Sequence, residues 1–149
     1  MTDLAREYSQ VDALHGGLPD FPRSFTGKGV LIGVIDTGFD FMHPAFRDAE
    51  GNSRIVHVWD QSGRNGNTPS MGYGVVFDTP ELIRSAAHDV SRDTHGTHVA
   101  AIAASSADVY KGMAPESDIV VVATDKSESG IIDALAYLLD YAEKEKKPI

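Results

Sequence analysis

Two residues in this sequence have neighbours suited to acid–base chemistry. Asp36 ends the apolar run Val30-Leu31-Ile32-Gly33-Val34-Ile35 and is followed by Thr37-Gly38, which puts a carboxylate at a strand end. His95 opens the stretch His95-Gly96-Thr97-His98-Val99-Ala100, which leads into an Ala-rich helical pattern. A carboxylate that accepts the N–H of an imidazole fixes its tautomer and stabilises the imidazolium formed on proton transfer. The positive end of a helix disfavours a protonated histidine. At a helix start the carboxylate therefore has a specific task. An acid and a histidine so placed are two-thirds of an acyl-transfer triad.

Positioning these groups falls to a small set of elements. The run before Asp36 reads as a strand buried on both faces, as in a parallel sheet. Small side chains from His95 to Ser105 predict a buried helix that approaches that sheet closely. Asp118-Ile119-Val120-Val121-Val122-Ala123 reads as a second buried strand. Ser127 to Gly130 then opens a long helix with Ile131, Leu135, Leu138 and Ala142 at amphipathic spacing, ended by Pro148. The alternation of strand and helix predicts right-handed crossovers and a parallel sheet covered on both faces. Val11 to Leu14 reads as a short surface helix. Between Asp48 and Arg92 the chain is polar and glycine-rich, with strand-like pieces at Arg54–Trp59 and Tyr73–Phe77 and a helix opening at Pro80. Most of that stretch is expected to lie over the surface.

Composition removes several function classes. The 149 residues carry 13 Lys and Arg against 22 Asp and Glu, a net charge of −9, which argues against a nucleic-acid footprint. The basic tail Lys144-Glu145-Lys146-Lys147 reads as a solvated last helical turn. No cysteine is present, so disulfides and thiolate catalysis are excluded. The first 30 residues have no apolar core of signal-peptide length and no segment approaches a membrane span, so no membrane partner is expected.

Three motifs in order carry a resemblance. Val34-Ile35-Asp36-Thr37-Gly38 with His43-Pro44, then His95-Gly96-Thr97-His98-Val99-Ala100, then Gly112-Met113-Ala114-Pro115, resemble the subtilisin-like serine proteases. The resemblance runs from about Val11 onward and covers the N-terminal half of that family's catalytic domain. It implies a three-layer α/β/α fold with a mainly parallel sheet, subtilisin-like and incomplete in this chain. Residues 1–149 would be the N-terminal part of a single peptidase domain, with 48–92 a subfamily-specific surface insertion. By resemblance Asp36 orients the histidine and His95 is the general base. His43 and His98 match structural positions. The segment Thr124 to Ser129, with Thr124 and Ser127 as substrate-binding candidates, would line the non-primed side of a cleft for a peptide or protein substrate. There the backbone pairs with an extended chain. An ordinary strand-to-helix loop is the competing reading of that segment.

The family's nucleophile stands in a Gly-Thr-Ser-Met-Ala setting, and no serine here has it. The oxyanion asparagine is also missing, since Asn52, Asn65 and Asn67 all precede His95. Without the serine there is no covalent intermediate, and without the oxyanion donors the largest electrostatic contribution is lost. The chain alone is expected to be inactive. His95-x-x-His98 has metal-ligand spacing but lacks a third ligand, so no metal is assigned. Many family members have an acidic calcium ligand after His-Pro where this chain has Ala45, so no cofactor is expected and calcium has no visible site. The resemblance favours an extracytoplasmic location.

Two rival readings stand beside this one. A retropepsin-like aspartic protease also uses Asp-Thr-Gly after an apolar strand, here Asp36. It leaves the histidine motif unexplained. A pseudoprotease or binding module would account for the missing serine. Ile149 looks like the first residue of a further strand, which favours a truncated domain. A half sheet exposes an unpaired edge and an apolar face, so the isolated chain is expected to self-associate.

Overall fold

The computed structural model describes residues 2–19, 23–91 and 93–149. Helices α1 (Thr2–Tyr8) and α2 (Val11–Gly16) precede strand β1 (Leu31–Asp36). A single 3-10 turn follows at Pro44–Phe46, then β2 (Ile55–Asp60), β3 (Val75–Phe77), α3 (Pro80–Ala86), α4 (His95–Ala104), β4 (Asp118–Ala123) and α5 (Glu128–Glu145). The strands form one sheet in the order β1-β4-β2-β3. β1, β4 and β2 run parallel, and β3 is an antiparallel edge strand on β2.

Each face of the sheet buries its own core. On one side Val34, Ile55, Val58, Ile119 and Val121 pack with Phe39, Phe41, Phe46, Ile83 and the alanines Ala100 and Ala104 of α4. On the other, Leu31, Trp59, Val120 and Val122 meet Ala134, Leu138 and Ala142 of α5. β4 is buried from Ile119 to Ala123 because it lies between two strands and under two helices. This is the three-layer α/β arrangement expected from the sequence.

Four expectations need correcting. The stretch from Asp48 to Arg92 does not lie mainly over the surface, although Arg92 itself is outside the described residues. It supplies β2, an interior strand whose Val58 and Trp59 are 0% exposed, together with β3 and α3. Along α5 the buried positions are Gly130, Ala134, Leu138 and Ala142, while Ile131 and Leu135 face outward. α4 is buried on one face only, and Ile102 and His98 are exposed. The basic tail is not purely solvated either, because Lys147 Nζ pairs with Asp118 at 2.6 Å.

Buried polar groups in β2 and just before it explain why it reads as surface. Arg54 places its guanidinium inside the fold, donating to the carbonyls of Ser117 at 2.8 Å, Ala45 at 3.2 Å and Ala104. The third of these caps the last turn of α4. His57 Nε2 meets Tyr137 Oη at 2.7 Å and its ring packs 4.4 Å from Tyr141, centroid to centroid. Most of these polar atoms are paired inside the fold, as buried polar groups generally are, while Arg54 Nε has no hydrogen-bond partner among the described residues.

Candidate active site

The carboxyl ends of β1, β4 and β2 converge at one edge of the sheet. Asp36 is in register with Ala123, the Thr124 N–H donates to Asp36 O at 2.8 Å, and the Gln61 N–H donates to Ala123 O at 2.9 Å. Ligand crevices of parallel α/β sheets lie outside such ends. Here the first residue of α4 faces Asp36.

His95 Nδ1 is 2.8 Å from Asp36 Oδ2. Burial pushes the Asp36 carboxyl up. The Thr37 N–H at 2.7 Å, the Lys126 ammonium and the His95 ring outweigh this and leave it below its ordinary value. An ionised carboxylate only accepts, so Nδ1 carries the proton and donates it. Nε2 is then the basic nitrogen of the neutral ring, and it has no hydrogen-bond partner among the described residues. The Asp36 side chain is 10% exposed and that of His95 is 56% exposed. A shielded anion thus orients a ring that is itself more than half exposed.

Backbone contacts fix this geometry. Gly96 N–H donates to Thr37 O at 2.8 Å and Thr97 N–H to Gly38 O at 3.0 Å. Thr97 Oγ1 donates to Gly38 O at 3.0 Å and accepts from Asp40 N at 2.8 Å. The turn after Asp36 is therefore laced to the first turn of α4. Gly38 has φ +82, and a Cβ there would lie 2.6 Å from the carbonyl carbon of Asp93. Gly96 is held as closely, since a Cβ would meet the Phe39 ring at 2.7 Å. Asp89 completes the turn by accepting from Gly38 N at 2.8 Å and Phe39 N at 3.2 Å. The third motif is a strap across α4, with Gly112 N, Met113 N and Ala114 N donating to the carbonyls of Ser105, Ile102 and Ala103.

The remaining predicted residues take local roles. Thr124 is buried and its Oγ1 accepts from Lys126 N at 3.2 Å. Ser127 caps α5, its Oγ accepting from Gly130 N at 3.1 Å. His43 caps the 3-10 turn through Nδ1, which accepts from Ala45 N at 3.3 Å. No group of three or more metal-ligating side chains occurs among the described residues. Sequence reasoning missed Asp89 and Lys126. Lys126 Nζ lies 3.1 Å from Asp36 Oδ1, a contact across ninety positions that no local pattern announces.

Residues 27–147 match the model of the Subtilase family. The chain belongs to that family. It is 34% identical over 103 residues to the subtilisin-like protease PopC of Myxococcus xanthus, covering 69% of this chain and 18% of PopC. It is 30% identical over 126 residues to an intracellular serine protease of Paenibacillus polymyxa, covering 83% of this chain and 32% of that protein. The CspB protease of Clostridium perfringens superposes with a TM-score of 0.67 at 31% identity, over 83% of this chain and 28% of CspB. The chain therefore spans a third or less of these subtilases. An extracellular serine protease of Serratia marcescens is 32% identical over 67% of this chain and is matched over only 8% of its own length. Since subtilases similar to this chain are named both intracellular and extracellular, membership does not assign a compartment. No described helix is long and apolar enough to cross a membrane.

Proposed function

We propose that this chain carries the acid–base pair of a subtilisin-type serine endopeptidase site, with the nucleophilic serine outside these residues. The supporting observation is the 2.8 Å contact between His95 Nδ1 and Asp36 Oδ2 in a family of serine peptidases. Nε2 would take the proton of an attacking serine hydroxyl and pass it to the leaving amine. Asp36 would hold the ring in the Nδ1–H tautomer and stabilise the imidazolium between the two transfers. Its shielded position suits that task, because charge stabilisation is stronger where water is excluded. An extended peptide would lie along Thr124 to Ser129 and pair with the backbone there.

The purified chain is expected not to hydrolyse a chromogenic peptide, because it lacks both the nucleophile and the oxyanion donors. The test is an assay of that chain with and without a serine-directed fluorophosphonate. Absent turnover and absent labelling support the reading. Hydrolysis that the fluorophosphonate stops would overturn it.

A further inference from the structure

Asp36 has two side-chain partners. His95 takes Oδ2, while the Lys126 ammonium takes Oδ1 at 3.1 Å. Lys126 lies in the loop between β4 and α5, where three local bonds pin the backbone. Thr124 Oγ1 accepts from Lys126 N, Asp125 Oδ1 accepts from Ser127 N at 2.9 Å, and Ser127 Oγ accepts from Gly130 N. Within that loop Lys126 has φ +65, a left-handed conformation that disfavours any residue with a side chain. A glycine would sit there without strain, yet the position carries an ammonium.

The side chain bridges two environments. It is 51% exposed, yet its tip touches a carboxylate whose side chain is 10% exposed. An ammonium has three N–H donors. Asp36 is its sole side-chain partner among the described residues. Donors therefore remain for an acceptor arriving from the solvent side. The chain carries a net charge of −9, so an acidic peptide is repelled at long range and needs a local cation to be held.

From this geometry we infer that Lys126 is a specificity residue for acidic substrates. It takes the carboxylate of an Asp or Glu side chain on a peptide lying along Thr124 to Ser129. In turning toward that carboxylate it leaves Oδ1 of Asp36 to the Thr37 N–H, so that His95 is the side-chain partner that remains on Asp36. Binding of an acidic peptide and release of the Asp36 carboxylate from Lys126 become one event. The inference rests on the peptide-cleft reading above.

The test titrates the isotope-labelled 149-residue chain with three blocked peptides identical except for one Glu, Gln or Lys. Amide signals of residues 124–129, the Lys126 side chain and the His95 ring are followed by NMR. The Glu peptide is expected to bind about threefold to fivefold more tightly than the Gln peptide, the size of a half-exposed ion pair. It alone should shift the His95 ring signals. Lys126→Met should abolish the preference, and Lys126→Arg should retain it. Equal binding of Glu and Gln peptides, or a Glu preference that survives in Lys126→Met, overturns the role of Lys126 and leaves the cleft intact. Loop amides that respond to none of the peptides overturn the cleft reading, and this inference with it.

Discussion

The backbone of Gly38 passes so close to that of Asp93 that a methyl group at residue 38 would lie 2.6 Å from the Asp93 carbonyl carbon. Both partners are main chain, so neither can rotate away. Gly38→Ala should cost about 3 kcal/mol or more, from left-handed strain together with overpacking. Gly51 has a similar φ of +87 but nothing within 4 Å. Gly51→Ala should therefore show only the conformational strain, about 1–2 kcal/mol. Denaturant unfolding of the two variants measures the difference, and equal losses would show that the approach of the Gly38 and Asp93 loops is not tight.

Asp89 holds the Asp36 turn through two backbone N–H groups in a site that is 3% exposed. Asp89→Ala leaves both donors buried and unpaired, at about 1–3 kcal/mol each. Asp89→Asn keeps an acceptor oxygen and should lose less than half as much. A thermal or denaturant melt in which both variants fall equally would count against this role.

His57 makes stability depend on pH. Burial lowers it from 6.5 to about 4, with Asp78 opposing and Lys144 assisting. Between those pH values the unfolded chain binds a proton that the folded chain refuses, so stability falls as pH falls through that window. The whole step is about 3 kcal/mol. His57→Gln can keep the bond to Tyr137 without titrating, and should flatten the slope. Asp36 acts in the same direction at lower pH, since its depressed value means its contribution is lost only as the carboxyl protonates. Unfolding free energies across the acid range, for the parent and His57→Gln, provide the check.

Much of the fold is legible because parallel strands are continuous apolar runs. β1 and β4 differ from the sequence reading by no more than a residue, and Asp36 proves to be the last paired residue of its strand. β2 is harder to read because its His57, Asp60 and the preceding Arg54 mimic a surface segment while being buried with partners. Asp36 and His95 stand out through strand and helix termini, which are local signals. Asp89 and Lys126 do not, since their contacts with Gly38 and Asp36 cross 51 and 90 positions respectively. The outward faces of Ile131 and Leu135 follow from where α5 sits on the sheet, which its own periodicity leaves open.

That outward stripe favours self-association of the isolated chain. Ile131, Leu135 and Leu139 are 44%, 55% and 55% exposed on one side of α5. β1 is an edge strand, and its first N–H, at Leu31, already meets Pro148 O at 2.8 Å. Light scattering is expected to show a mass that rises with concentration, and Leu135→Glu with Leu139→Glu should reverse it. A concentration-independent monomer would contradict the expectation.

The central claim is that Asp36 fixes the His95 tautomer with its proton on Nδ1. The direct measurement is the NMR spectrum of the His95 ring in the intact chain and in Asp36→Asn. The account predicts a protected, hydrogen-bonded Nδ1–H in the parent and its loss in the variant. A His95 ring carrying its proton on Nε2, or one whose spectrum is the same with and without the Asp36 carboxylate, would contradict it.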